Sequence, residues 1–136
     1  MFVIDCSLTM AWLFDDEKTS FSEKMMDRLE EEQAIVPSLW IIEVLNVLLV
    51  GEKRKRITQS QSSHFLNVLS KMPIQIIEIQ SILQSESMLF LGRTFGLTSY
   101  DAAYLDLASR FGLPLASLDD QLIIAAKEMG VQILHA

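Results

Sequence analysis

The stretch from Thr98 to Leu122 constrains the fold more than any other. It reads Thr98-Ser99-Tyr100-Asp101-Ala102-Ala103-Tyr104-Leu105, reaches Arg110-Phe111-Gly112, and continues Leu113-Pro114-Leu115-Ala116-Ser117-Leu118-Asp119. Thr98 or Ser99 is placed to cap a helix, Gly112 to end it, and Pro114 forbids its resumption. Leu113 to Leu118 is then long enough for one buried strand. A helix of about 11 residues descends roughly 16 Å, and a strand of about 5 residues climbs back roughly 17 Å. The chain therefore leaves a sheet edge near Asp101 and returns to it near Asp119. In an open α/β sheet this is the edge at the strand carboxyl ends, where ligands bind.

The rest of the chain repeats that alternation. Met1 to Ile4 reads as a first strand ending at Asp5, followed by a short helix over Ser7 to Phe14. Ser22 to Glu32 is an amphipathic helix and Ala34 to Val36 a brief second strand. Ser38 is placed to cap a helix through Trp40 to Leu49 that is apolar nearly all round, the pattern of an element buried on most sides. Thr58 opens a further helix to Lys71, Ile74 to Ile77 is a third strand, Ser81 to Phe95 a helix, and Val131 to Leu134 a last strand after a helix ending near Met129. Strands alternating with helices predict an α/β fold with a mostly parallel sheet of about four to five strands, flanked by helices. At 136 residues, with no internal repeat and no linker, residues 1–136 are expected to form a single domain.

Composition bounds the function. The net charge of −7 argues against unaided binding of a polyanion. Half the residues are hydrophobic and the mean hydropathy is +0.29, an excess that points to an apolar interface and a homo-oligomer. Cys6 is alone, which fits a reducing compartment. Met1 to Ile4 is too short for a signal peptide and the apolar run Leu39 to Val50 too short for a membrane span, so a cytoplasmic protein is expected.

Four carboxylates follow from the topology. Asp5 and Asp119 end strands, Asp101 lies in the first helical turn, and Glu43 lies near the start of a helix that follows a strand; all four face one edge. Taken singly, Asp5 and Asp119 also read as helix N-caps and Asp101 as an acid complementing a helix dipole. Glu43 is different: it is the only charge between Gln33 and Gly51, and a buried carboxylate costs several kcal/mol unless paired or metal-bound. Together the four suggest a hard-cation site for Mg²⁺ or Mn²⁺, which take oxygen ligands. Zinc is disfavoured because Cys6, His64 and His135 lack ligand spacing. Such a pocket suits phosphoryl chemistry and lets an acidic protein accept a polyanion. Lys53-Arg54-Lys55-Arg56 is the one strong basic cluster; it reads either as a grip on phosphates or as cations closing a helix C-terminus.

These residues resemble the PIN-domain ribonucleases, in particular the VapC-type toxins of toxin–antitoxin pairs. The matching pieces are Val3-Ile4-Asp5-Cys6-Ser7, then Val36-Pro37-Ser38-Leu39-Trp40-Ile41-Ile42-Glu43-Val44-Leu45-Asn46, the run Leu97 to Ala108 with its Tyr-Asp-Ala block, and Leu115 to Leu122. The resemblance spans nearly the whole chain. It implies a PIN-like three-layer fold and a Mg²⁺-dependent endoribonuclease, with Asp5, Glu43, Asp101 and Asp119 holding the metal and activating water. It also implies a homodimer inhibited by an antitoxin that inserts into the acidic cleft. Cys6 stands where Ala is common and Ser117 where Thr is common. Ser7 and Ser117 are placed to orient Asp5 and Asp119, and Asp119 is preferred to Asp120 for its register with Ser117 and Leu122. Four other readings fit less well. A non-catalytic binding module is opposed by the intact acids. A flap-type nuclease acting on structured DNA needs an extra helical clamp for which the chain has no room. A phospho-acceptor receiver needs paired acids after the first strand and a later strand-end Lys. A dinucleotide-binding domain needs a Gly-x-Gly-x-x-Gly turn, which is absent.

Overall fold

The computed structural model describes residues 1–78 and 81–134. Its frame is a four-stranded parallel sheet of β1 (Phe2–Ile4), β2 (Ala34–Pro37), β3 (Ile74–Ile77) and β4 (Leu115–Ala116) in the order β3-β2-β1-β4. Val3 sits opposite Ile35 on one side and Leu115 on the other. All three residues of β1 are fully buried, which is why a run with no polar alternation serves as the central strand.

Among the described residues seven α-helices flank the sheet: α1 (Cys6–Ala11), α2 (Ser20–Arg28), α3 (Leu39–Lys53), α4 (Gln59–Ser70), α5 (Ser85–Phe95), α6 (Ser99–Phe111) and α7 (Asp120–Met129). Helix α6 lies on β1 and β2 and packs against α5, while α1 packs against α3. Among the described residues no helix is long and apolar enough to cross a membrane.

The chain steps outward from β1 to β2 to β3, then returns to place β4 on the other side of β1. The strand order therefore reverses between β1 and β4, the topological switch point where parallel sheets leave a crevice at their carboxyl ends. Asp5 follows β1 and Ser117 follows β4, so both flank that crevice.

Local signals in the Thr98 block act as the sequence implies. Thr98 accepts a hydrogen bond from the Asp101 N–H, and Gly112 ends α6 at φ +63, a conformation L side chains rarely adopt. The Leu113 N–H then turns back onto the Ala108 carbonyl at 3.0 Å. Thr58 and Gln61 form a reciprocal capping box on α4.

Several expectations need correction. Ser38 makes no side-chain cap: its backbone is already helical, and its N–H extends the β2–β3 ladder to the Ile77 carbonyl at 3.0 Å. Only Leu115 and Ala116 of the predicted Leu113–Leu118 strand are paired as strand, since Pro114 has no N–H to offer and Ser117 is held by side-chain bonds. The predicted Val131–Leu134 strand is a single bridge from Ile133 to Leu115. The predicted helix from Ser81 begins as a 3₁₀ turn over Ile82–Gln84 and becomes α-helical at Ser85.

Helix α3 is not buried on most sides. Trp40, Val44, Leu48 and Gly51 form one buried stripe, while Ile42 is 67% and Leu49 61% exposed. The apolar excess of the composition therefore stands partly on the surface, on α3 and also at Ile82, Leu83 and Phe90. In the basic cluster, Arg56 lies over the Phe14 ring at 3.9 Å and bonds Asp16 and Glu17 at 3.0 and 3.1 Å. His64 is exposed on α4; His135 lies outside the described residues.

Candidate active site

The carboxyl edge of the sheet gathers the four acids, each through a different element. Asp5 is the N-cap of α1, Asp119 the N-cap of α7, Asp101 lies in the first turn of α6, and Glu43 in the second turn of α3. The capping readings of Asp5 and Asp119 are thus correct, accepting from Leu8 N and Leu122 N at 3.0 Å each. A cap uses one carboxylate oxygen in one direction, so it fixes the acid at the edge without consuming it.

Asp5 is only 3% exposed and the most tightly held of the four. Ser7 Oγ donates to its two oxygens at 2.8 and 2.9 Å, and Ser117 Oγ reaches across from the end of β4 to Oδ2. Ser117 Oγ also accepts from the Asp119 N–H at 2.9 Å, and Ser7 Oγ accepts from Leu118 N at 3.1 Å. Two serines thereby stitch the ends of β1 and β4 together at the switch point. Below them, Thr9 Oγ1 donates to the Asp5 carbonyl at 2.9 Å and accepts from Trp40 Nε1 at 2.9 Å, tying α1 to α3.

Among the described residues Glu43 has no basic partner. Tyr104, buried in α6, donates its hydroxyl to Glu43 Oε1 at 2.5 Å. Tyr104 carries no role in the sequence reading. The signal was available: a helix-borne carboxylate in an apolar run needs a donor, and Tyr104 shares the α6 stripe one turn after Asp101. We expect Tyr104→Phe to cost about 1–2 kcal/mol of folding stability in urea titrations, the scale of a hydrogen bond to a charged group that can partly resolvate. An unchanged midpoint would show that this bond contributes nothing.

The acids act on one another's charge. Burial lifts the Asp5 carboxyl to about 6, against the hydrogen bonds of Ser117, Leu8 and Ser7, and the Asp119 charge adds to the rise. Burial raises Asp101 as well, with Asp119 again repelling it. Glu43 is raised by burial and by the charge of Asp101, opposed by the Tyr104 hydroxyl. Asp5, Asp119, Asp101 and Glu43 are thus linked in a chain of like-charge neighbours. The buried Cys6 thiol is pushed up to about 12, chiefly by burial and then by Glu43 and Asp5.

Among the described residues none of the four acids forms an ion pair. Asp106 shows the contrast. It is also buried in α6, but Ser87 and Arg110 satisfy it, and it serves the α5–α6 contact rather than the edge. Among the described residues no three His, Cys, Asp or Glu side chains stand close enough to hold a metal ion as placed. Asp5, Asp119 and Glu43 each accept from a hydroxyl or backbone donor. As a donor set they are all oxygen, mutually repelling and without a cation of their own, which fits a hard divalent ion. Asp120 is exposed and points the choice to Asp119, which is half-buried.

Comparison with known proteins gives a consistent picture. The family model described as the PIN domain matches residues 2–128. Ribonuclease VapC3 of Pyrobaculum aerophilum is 28% identical over 121 residues, 88% of this chain and 90% of that protein. The crystal structure of PAE2754 from Pyrobaculum aerophilum aligns with a TM-score of 0.67 at 25% identity, covering 97% of this chain and 89% of that one. A toxin–antitoxin complex from Klebsiella pneumoniae aligns at 0.61 with 18% identity, covering 88% and 87%. FitAcB from Neisseria gonorrhoeae aligns at 0.67 with 15% identity, covering 99% and 97%. The last two share the fold.

Proposed function

This chain belongs to the PIN domain family, and from that premise we propose that it is a metal-dependent endoribonuclease of the VapC type, hydrolysing RNA phosphodiester bonds. The observation that carries this reading is the group of four carboxylates at the carboxyl edge of the sheet, none of them in an ion pair among the described residues. An acidic protein has no other evident way to accept a polyanion there than through a bound cation.

Asp5, Glu43, Asp101 and Asp119 are the residues we assign to hold that ion, Mg²⁺ or Mn²⁺. When bound, it supplies Lewis-acid polarisation of the phosphate and a water of lowered pKa. The protein does the positioning. Ser7 and Ser117 fix the Asp5 carboxylate, the Leu122 N–H turns Asp119, and the Tyr104 hydroxyl holds Glu43 through Oε1. In hydrolysis the water oxygen bonds to phosphorus, the opposite P–O bond breaks, and the water proton passes by way of a rim carboxylate to the departing oxygen.

The test is cleavage of RNA with and without Mg²⁺ or Mn²⁺; activity that survives exhaustive chelation refutes the assignment. In parallel, metal should raise the melting temperature. At about ten times its Kd a ligand of the folded state alone adds about 1.4 kcal/mol. A melting temperature unmoved across millimolar metal argues against the site.

The same reading makes the chain the toxin of a toxin–antitoxin pair, folded as one domain over residues 1–136, acting in the cytoplasm and inhibited by a cognate antitoxin protein. It also makes it a homodimer, supported by the apolar side chains exposed at Ile82, Leu83, Leu89 and Phe90. Phe90→Asp with Leu83→Asp should yield monomers by light scattering; an unchanged mass places the dimer contact elsewhere.

A further inference from the structure

Beside the acidic edge lies a crevice of about 370 Å³ lined by Cys6, Ile42, Glu43, Asn46, Val47 and Tyr100. It runs between one face of α3 and the start of α6, with Cys6 at the head of α1. Its walls are continuous with the carboxylates: Glu43 belongs to both, Cys6 follows Asp5, and Tyr100 precedes Asp101. Tyr100 is 58% exposed and Ile42 67% exposed. Among the described residues neither the Asn46 amide nor the Tyr100 hydroxyl is committed to another group.

We propose that this crevice is a nucleobase subsite, taking one unpaired base of the RNA next to the scissile phosphate, stacked on Tyr100 and read along its edge by Asn46. The inference rests on the ribonuclease reading above and adds where the substrate's base goes.

Three observations favour a base as the occupant. The phosphate of a polyanion is tolerated at this edge only over the cation, so the adjoining crevice must take a neutral part of the substrate. Apart from Glu43 every lining side chain is uncharged, and Ile42, Val47 and Tyr100 present apolar surface suited to a flat heterocycle. An exposed aromatic beside a primary amide is the pairing that recognises an unstacked base: the ring accepts any π-face, and the amide carries a donor and an acceptor that discriminate between edges. A base held in a duplex does not reach such a crevice, so the substrate is single-stranded at the cut.

The test uses the full chain with Mg²⁺ and unstructured RNA oligonucleotides, first to map the cleavage site and then with an abasic residue at each flanking position. Wild type should lose about tenfold or more in kcat/KM when the base at one flanking position is removed, the scale of one base–aromatic stack. Tyr100→Ala should lose a similar factor on intact RNA but little more on the abasic one. Tyr100→Phe, which keeps the ring, should recover most of what Tyr100→Ala loses, and Asn46→Ala should flatten base preference at that position alone. Melting curves check that each variant folds.

Additive losses for Tyr100→Ala and the abasic substrate overturn the proposal. So does an Asn46→Ala profile identical to wild type. Variants that cleave normally but no longer bind a protein inhibitor would show the crevice to be a protein contact, which also overturns it. Failure of wild type to cleave RNA, or full cleavage by Asp5→Asn, defeats the ribonuclease reading instead, so the two failures are distinguishable.

Discussion

Asp5→Asn should lower RNA cleavage by about a thousandfold or more while leaving the chain folded. The substitution removes one negative charge at the most tightly held acid of the edge and turns the Oδ2 acceptor into a donor, so the Ser117 hydroxyl must rotate to accept where it donated. Asn caps a helix as well as Asp does, so the Leu8 N–H keeps an acceptor. The amide fills the same volume between Ser7 and Ser117. What is lost is an anionic oxygen for the cation and one member of the repelling chain that draws it in. Asp101→Asn should give a comparable loss from α6, where Thr98 rather than Asp101 carries the cap. Asp106→Asn is the informative contrast: it weakens the clamp with Ser87 and Arg110 and should cost stability while sparing cleavage. The measurements are gel-resolved cleavage and a melting curve for each variant. Wild-type cleavage by both Asp5→Asn and Asp101→Asn would end the assignment of the site.

The second large effect is on stability against pH without metal. The Asp5 carboxyl titrates at about 6 in the folded chain, against 3.8 unperturbed. A raised folded pKa means that the native state binds the proton more tightly than the unfolded one. Its contribution is therefore fully present below pH 3.8 and is lost as pH rises through 6. Two units correspond to about 3 kcal/mol, and Glu43 and Asp101, also raised, act in the same direction. In chelator, the stability of wild type relative to Asp5→Asn should fall by about 2.4 kcal/mol of this between pH 4 and pH 7. Urea titrations across this range measure it, and a difference that does not change with pH would show that Asp5 is compensated by groups not identified above. Added Mg²⁺ should flatten the slope, because metal and proton compete for the same oxygens.

Much of this was legible without coordinates because it depends on local rules. Thr98, Gly112 and Pro114 delimit α6 and the return to the sheet by backbone chemistry that neighbours do not alter. The three fully apolar residues of β1 mark a strand covered on both sides. The alternation of helix and strand requires parallel pairing, and parallel pairing sends every strand end to one edge. Asp5, Asp101 and Asp119 follow from that topology. Glu43 stood out because a charge in an apolar helix needs a reason.

Other features depend on which elements meet. Strand order is set by long-range packing, so the switch point between β1 and β4 was not readable from periodicity. Nor were the Ser117 bond to Asp5 across 112 positions or the Tyr104 bond to Glu43 across 61. The same holds for α3: an all-round apolar pattern cannot say which faces find neighbours, and in the folded chain only one stripe does. The residues themselves dictated helix ends, the parallel sheet and the acids at its rim, since each follows from backbone sterics and burial within a few positions. Tertiary structure alone decided which donors hold those acids, how near they stand, and which apolar surface stays open beside them, because such distances exist only once remote segments pack together.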